Sequence, residues 1–293
     1  MKKLSACIFV FTLLCSIYAF DKGGNLSVHY IDVGQADAIL IELPNSQTML
    51  IDGGNRADGP ALLNYLVDKG ISTIDYLVAT HPHEDHIGGL AAVINSTIKI
   101  ESIYMPRVAA NTQVFENLLS AIDDKGLSIN AAQCGVSILS LPDLQIDIVS
   151  PVTFNSSDLN DWSAVIKLKY HDKVFLFMGD IEIYAADLIS ADIDADVIKI
   201  GHHGSALSVS ASFLQRVSPD YALISVGESN NYGHPDDAAL SLLQECGVTV
   251  FRTDQQGTII ISSDGEQLCV NQTPILYGIN APPVHNCAPA LRR

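Results

Sequence analysis

The chain has 293 residues, 48% of them hydrophobic and only 17% charged, which allows a full hydrophobic core and excludes general disorder. Its formal net charge is −17. So acidic a surface repels polyanions at long range and excludes a protein that grips nucleic acid along a broad basic face. Lys2 and Lys3 precede an apolar run from Leu4 to Tyr18, and Ala19 offers a small residue for cleavage. That is the layout of a secretory signal peptide over residues 1–19. A membrane anchor is the alternative, but the run is short for a spanning helix and no second one follows. Lipidation at Cys15 is disfavoured because Leu14 stands where a small residue is expected. The expectation is export, to the periplasm or outside the cell, without stable membrane association after cleavage. Export leaves Cys134, Cys246, Cys269 and Cys287 in an oxidising compartment. Four cysteines allow three pairings, and a Cys269–Cys287 bridge over the tail is one candidate.

Residues 26–33 alternate as a strand should, and two more strands follow over 38–43 and 48–51, joined by Gly34-Gln35 and Pro44-Asn45-Ser46. His29, alone in its strand, reads as structural. Helical spacing begins at Pro60, with Leu62, Leu63, Leu66 and Val67 on one face and a stop at Lys69-Gly70. A short buried strand over 76–79 runs into Thr80-His81-Pro82-His83-Glu84-Asp85-His86, and helix resumes over 90–94. A strand over 98–105 and a helix over 114–122 complete a half in which strands and helices alternate. The second half repeats the plan. Strands are predicted over 136–139, 144–149, 162–170 and 174–178, with His171-Asp172 as a hairpin turn. A helix over 182–190, a strand over 197–200, a helix over 209–217, a strand over 221–226 and a helix over 235–246 come next. Two or three strands between 248 and 270 close a two-sheet α/β domain with outer helices, spanning residues 26–270. Residues 271–293 form a proline-rich tail with little periodicity.

The 81–86 turn packs four metal-competent side chains between a strand and a helix. Pro82 disfavours helical backbone at His81, so the turn begins extended. Residues i and i+2 then point the same way, which lets His81 and His83 share one cation. Asp85 and His86 sit where the helix starts and can turn toward a second cation. Imidazole suits zinc, and carboxylate suits harder ions as well. Asp52 in Asp52-Gly53-Gly54, Asp180 after Gly179, and the His202-His203 pair all follow apolar strands, where ligand sites of layered α/β folds gather. Asp180 is either the cap of the helix behind it or a carboxylate bridging two metals, and the metal turn favours the second. His203 is favoured over His202 as a ligand, leaving His202 to meet substrate. His234 is either a capping residue or a group that donates a proton to a leaving group or stabilises its charge. Lys199 either balances phosphate charge or snorkels from a strand end.

These motifs, His81-x-His83-x-Asp85-His86 with Asp52 and Gly179-Asp180, resemble the metallo-β-lactamase superfamily. Five segments, 32–38, 51–54, 79–89, 197–205 and 225–235, resemble more narrowly the hydrolase domain of ComEC-type DNA-uptake proteins. The resemblance covers roughly residues 26–265 and implies a four-layer αββα sandwich with two divalent metals, zinc or manganese. It implies His81 and His83 on the first metal, Asp85, His86 and His203 on the second, and Asp180 between them. Asp52 would orient a ligand from behind, with Asp161 and Lys199 also in that outer layer. Asp85, His202 and His234 are the candidate catalytic groups. The chain departs from the pattern in lacking a third histidine for the first metal just before the strand at Trp162. Asn160, Asp161 and Ser163 occupy that region and make manganese a rival to zinc. Ala206 stands where this branch often has lysine, and a DNA-transport role is not carried over.

A bound cation lowers the pKa of water from about 15.7 toward roughly 7. The expected function is therefore an exported metal-dependent hydrolase working through hydroxide generated at a metal pair. Its foremost form is a phosphodiesterase or nuclease, with a phosphodiester, DNA included, as substrate. A phosphocholine ester, a lactone or a β-lactam is the alternative substrate, though the missing histidine weighs against a lactamase. A non-catalytic metal-binding module is the remaining alternative.

Overall fold

The computed structural model describes residues 24–152 and 156–275. The expected signal peptide, Cys287 and most of the tail lie outside them. The first half runs β1 (Leu26–Tyr30), β2 (Ile39–Glu42), β3 (Thr48–Ile51), α1 (Gly59–Asp68), β4 (Thr73–Val78), α2 (Glu84–Ile87), α3 (Leu90–Asn95), β5 (Lys99–Met105), α4 (Gln113–Asp124) and β6 (Ile129–Ala131). The second runs β7 (Val136–Ser140), β8 (Leu144–Ser150), β9 (Val165–Tyr170), β10 (Lys173–Phe177), α5 (Ile183–Ala186), β11 (Val197–Lys199), α6 (Ala211–Val217), β12 (Tyr221–Ile224), α7 (Asp237–Glu245), β13 (Thr249–Arg252), β14 (Ile259–Ser263) and β15 (Leu268–Val270).

The strands form two sheets, in the orders β15-β14-β1-β2-β3-β4-β5-β6 and β13-β12-β11-β10-β9-β8-β7. Each sheet is antiparallel at one side and turns parallel at the other, along β3-β4-β5-β6 and β10-β11-β12-β13. Side-chain alternation decides what each face covers. Ile39, Ile41, Met49, Ile51, Tyr76 and Val78 meet Ile166, Leu168, Phe175 and Phe177 between the sheets. Their neighbours Leu40, Leu50 and Leu77 face the other way, onto Leu62, Leu66, Leu90 and Leu118 of α1, α3 and α4. On the far side Ile198, Ala222 and Ile224 pack on Phe213, Leu214 and Leu243 of α6 and α7. The result is the expected α/β/β/α layering, the metallo-β-lactamase sandwich.

Local differences have local causes. The helix expected over 182–190 is cut to Ile183–Ala186: the next residues tighten into i→i+3 bonds, Leu188 N–H to the Ala185 carbonyl and Ile189 N–H to the Ala186 carbonyl, while Ile189 and Ile193 turn down into the core. Residues 160–162 form a 3₁₀ turn instead of the start of β9. The three-residue β6 was too short to leave a sequence pattern. Past β15, Ile275 still bridges to Val250 of β13. Cys269 is disulfide-bonded, whereas Cys134 and Cys246 carry free thiols.

Candidate metal centre

The parallel strands β3, β4, β10, β11 and β12 end along one rim, and the site is assembled from the segments that follow them. At the end of β3, Asp52 adopts a left-handed backbone, φ 59°. Its Oδ1 accepts from the Thr80 backbone N–H at 2.8 Å, and its Oδ2 accepts from Thr80 Oγ1 and lies against His86 Nδ1, both at 2.7 Å. A carboxylate at Nδ1 fixes the proton there and leaves Nε2 as the donor toward a metal. The 81–86 turn starts extended, with His83 at φ −80°, ψ 152° immediately before α2. His81 and His83 do point the same way, with His81 Nε2 3.0 Å from His83 Nδ1. Gly88 and Gly89 let the end of α2 press on the 53–56 loop. A Cβ on Gly89 would stand 2.1 Å from the Gly53 carbonyl oxygen, and one on Gly88 2.2 Å from Arg56 N.

The second sheet brings the rest. Ser163 Oγ accepts from Asp180 N at 3.0 Å and lies 3.4 Å from His81 Nδ1. Asp180 is buried, with Oδ2 3.1 Å from His86 Nε2 and 3.5 Å from His203 Nε2. His202 and His203 both take left-handed backbone, φ 48° and 52°, which splits their directions. His203 Nδ1 donates to the Ser225 carbonyl at 2.9 Å, and its Nε2 sits 3.2 Å from Asp85 Oδ2. His202 turns outward, with Nδ1 3.5 Å from Glu182 Oε1.

Donor atoms of Asp85, His86, Asp180 and His203 lie within 4.8 Å of one another. His86 Nε2 is buried without a hydrogen-bond partner although carboxylate oxygen is close. Borderline imidazoles and hard carboxylates converging on one point, with one imidazole nitrogen left unsatisfied, fit a divalent cation. These residues form a cluster able to bind metal. The charges in it are strongly coupled. Burial opposes the imidazolium of His86, but Asp180, Asp52 and Asp85 outweigh it and hold the ring well above the ordinary histidine range. Burial, and then the His86 cation, push His81 well below it. Burial works against ionised Asp180, yet His86, His203 and Lys199 keep it ionised.

Asp37 is a member of this assembly that its sequence position, leading into β2, did not disclose. It is buried, pairs with Lys199, and lies 3.5 Å from His203 Nδ1 and 3.8 Å from His86 Nδ1. The signal available was an acid inside the otherwise apolar run Ala36-Asp37-Ala38. Lys199 neither snorkels nor faces substrate. It is 0% exposed and donates to the Gly179 carbonyl at 3.0 Å beneath Asp180. Burial works to lower its pKa, but Asp37 and Asp180 hold it above the usual lysine value. Asp161 turns away from the site and accepts from Ser156 Oγ at 2.6 Å. Asn160 takes its place at the site, with a buried Oδ1 lacking a hydrogen bond. His29 lies elsewhere, between Tyr65 and Glu42.

Above the cluster is a cavity of about 320 Å³ lined by Gln35, His83, Asp85, Asn160, Asp180, His202, His203, Tyr232 and His234 among others. Gln35 spans the two halves, accepting from Gly227 N at 3.0 Å. Burial lowers the pKa of His234, with Asp236 opposing.

A family model for the metallo-beta-lactamase superfamily matches residues 31–123. The chain is 31% identical over 252 residues to ComE operon protein 3 of Bacillus subtilis, covering 79% of this chain and 32% of that protein. It is 26% identical over 232 residues to competence protein ComA of Neisseria gonorrhoeae, covering 78% and 31%. Among solved structures, the metallo-beta-lactamase fold protein YhfI from Bacillus subtilis superposes with a TM-score of 0.54 at 13% identity, over 82% of this chain and 100% of YhfI. The chain therefore spans about a third of the length of the curated relatives it matches. It carries a metallo-β-lactamase-superfamily domain whose homologues are ComEC-type competence proteins.

Proposed function

We propose that the chain is an exported, divalent-metal-dependent phosphodiesterase, with nuclease activity as its foremost form. The observation that carries this reading is the convergence of His81 and His83 with Asp85, His86, Asp180 and His203 under one polar cavity. His81 and His83 would hold one cation; Asp85, His86 and His203 a second; and Asp180 both. Zinc and manganese both suit this mixture of nitrogen and oxygen. Cations there would supply Lewis acidity toward a phosphoryl oxygen and lower the pKa of water at the site.

The chain's own groups do the rest. Asp52 and the Ser225 carbonyl hold the His86 and His203 rings with Nε2 presented inward. His202, with Nδ1 toward Glu182, presents Nε2 to a non-bridging phosphate oxygen. Burial lowers the pKa of His234, which favours its neutral form. That form stabilises charge on the leaving oxygen through an N–H hydrogen bond. The acidic surface keeps long polyanions from binding elsewhere, so attraction is confined to the centre. Export is supported by the leader pattern of residues 1–19 and by the competence proteins among the relatives. Among the described residues no helix is long and apolar enough to cross a membrane.

The test is turnover of bis(p-nitrophenyl) phosphate and of single-stranded DNA by the protein loaded with Mn²⁺ or Zn²⁺, with nitrocefin as the lactam control. Metal-dependent cleavage of either phosphodiester is expected. Cleavage of nitrocefin alone, or of nothing, overturns the reading.

A further inference from the structure

Tyr232 is 72% exposed and so contributes little to the core, yet its position is tightly determined. Asn230 braces the loop that carries it. The Asn230 Oδ1 accepts from Tyr232 N and His234 N, both at 3.1 Å, while Nδ2 donates to the carbonyls of Gly227 at 3.0 Å and His234 at 2.6 Å. The Tyr232 ring lies nearly parallel to His234, with centroids 6.1 Å apart and planes at 15°. His234 meets His202 edge-on at 5.6 Å, and His202 meets His203 edge-on at 6.3 Å. Four rings thus lead from the metal cluster to solvent, and all four line the same 320 Å³ cavity. The outermost is an aromatic plane on the wall of the cavity that Asp85, Asp180 and His203 also line.

We propose that Tyr232 forms an aromatic subsite that stacks on a planar base or aryl group of the substrate, selecting phosphodiesters that carry one. The subsite rests on the phosphodiesterase reading for its phosphate anchor. An open tyrosine face accepts any base because every base has a π-face, so the subsite favours aromatic substituents without reading sequence. It also offsets the acidic surface: binding gained by stacking needs no basic residues along the strand. Tyr232 is a specificity-determining residue in this scheme, and the metals and histidines act on the phosphate whatever its substituent.

The test compares binding of thymidine 5′-monophosphate and 2-deoxyribose 5-phosphate to the Mn²⁺-loaded full chain by calorimetry, for wild type, Tyr232→Phe and Tyr232→Ala. Stacking of one base is worth roughly tenfold in affinity. Wild type and Tyr232→Phe are expected to prefer the nucleotide by about that factor, and Tyr232→Ala to bind the two within twofold. The proposal is overturned if Tyr232→Ala keeps the wild-type preference, or if wild type shows none, including no binding of either ligand. Turnover of bis(p-nitrophenyl) phosphate is measured in parallel. If turnover is absent while the Tyr232-dependent preference holds, the subsite stands and hydrolysis fails. If turnover is present and Tyr232 has no effect on the preference, hydrolysis stands and the subsite fails.

Discussion

Lys199 is the most consequential buried charge in the chain, and replacing it with methionine exposes what it does. Its ammonium is 0% exposed, pairs with Asp37, donates to the Gly179 carbonyl, and stands 3.7 Å from Asp180 Oδ1. Asp37 comes from the β1–β2 loop and Lys199 from β11, so the pair ties the two sheets together directly under the metal cluster. Lys199→Met leaves a carboxylate buried without its partner, and one of its oxygens, Oδ1, already lacks a hydrogen bond. Breaking a buried pair from one side costs about 3–5 kcal/mol. For a chain of this size that corresponds to a fall in Tm of roughly 6–20 °C. The double variant Asp37→Leu/Lys199→Met replaces both charges with apolar groups and should recover most of that loss, because burying a charge pair gives little net stability. Metal affinity should not recover. Without the ammonium, Gly179-Asp180 loses its buried cation and keeps the bonds from His202 N and to Ser163 Oγ, and losses behind the ligands typically cost about 10–100-fold. Thermal unfolding in chelator and competition titration with a chromophoric chelator measure the two effects separately. A single variant that melts with wild type, or a double variant that binds metal as tightly, refutes the reasoning.

Asp52→Ala strands His86 Nδ1 and the Thr80 N–H without their shared acceptor, at about 1–3 kcal/mol per buried group; chelator competition should also show metal affinity about 10–100-fold weaker. His203→Ala should lower the metal content by one equivalent. His202→Ala should leave the metal content unchanged while kcat on bis(p-nitrophenyl) phosphate falls about 100-fold, as elemental analysis and steady-state kinetics will show. Asp180, Asp52 and Asp85 raise the pKa of His86 well above the usual histidine value against its burial, which favours the imidazolium in the metal-free protein, so metal uptake near pH 7 should expel a proton. Calorimetry in buffers of different ionisation enthalpy should register that release. Because the folded pKa of His86 is raised, its contribution to metal-free stability is fully present below about pH 6.5, the unfolded value, and is lost as pH rises through the folded value. Metal-free Tm should fall across that window. Gly89→Ala should destabilise by about 1–3 kcal/mol, read by chemical denaturation, since its Cβ would meet the Gly53 carbonyl oxygen at 2.1 Å.

The two-sheet plan was legible because strands buried on both faces leave short, near-continuous apolar runs such as Ile39-Leu40-Ile41 and Met49-Leu50-Ile51, bounded by turn residues. The 81–86 turn was legible because proline and the i, i+2 geometry act within a few residues. Other features depend on partners distant in sequence. Asp37 draws its meaning from Lys199, 162 positions later in the numbering, and Lys199 looked like a strand-end cation until β10 and β11 closed over it. The choice among Asn160, Asp161 and Ser163 turns on a 3₁₀ turn that brings Asn160 to the cavity wall, Ser163 against His81 and Asp180, and Asp161 toward Ser156. The shortened α5 likewise reflects tertiary packing, the burial of Ile189 and Ile193 in the core. Tyr232 gave no periodic signal because it belongs to a loop closed by the side chain of Asn230.

The central claim is that side chains from both sheets converge on a pair of cations. Anomalous diffraction from crystals of the manganese- or zinc-loaded protein tests it most directly. Two peaks are predicted, one against His81 and His83 and one against Asp85, His86 and His203, with Asp180 reaching both. Peaks elsewhere, or none in this cluster, would contradict the account.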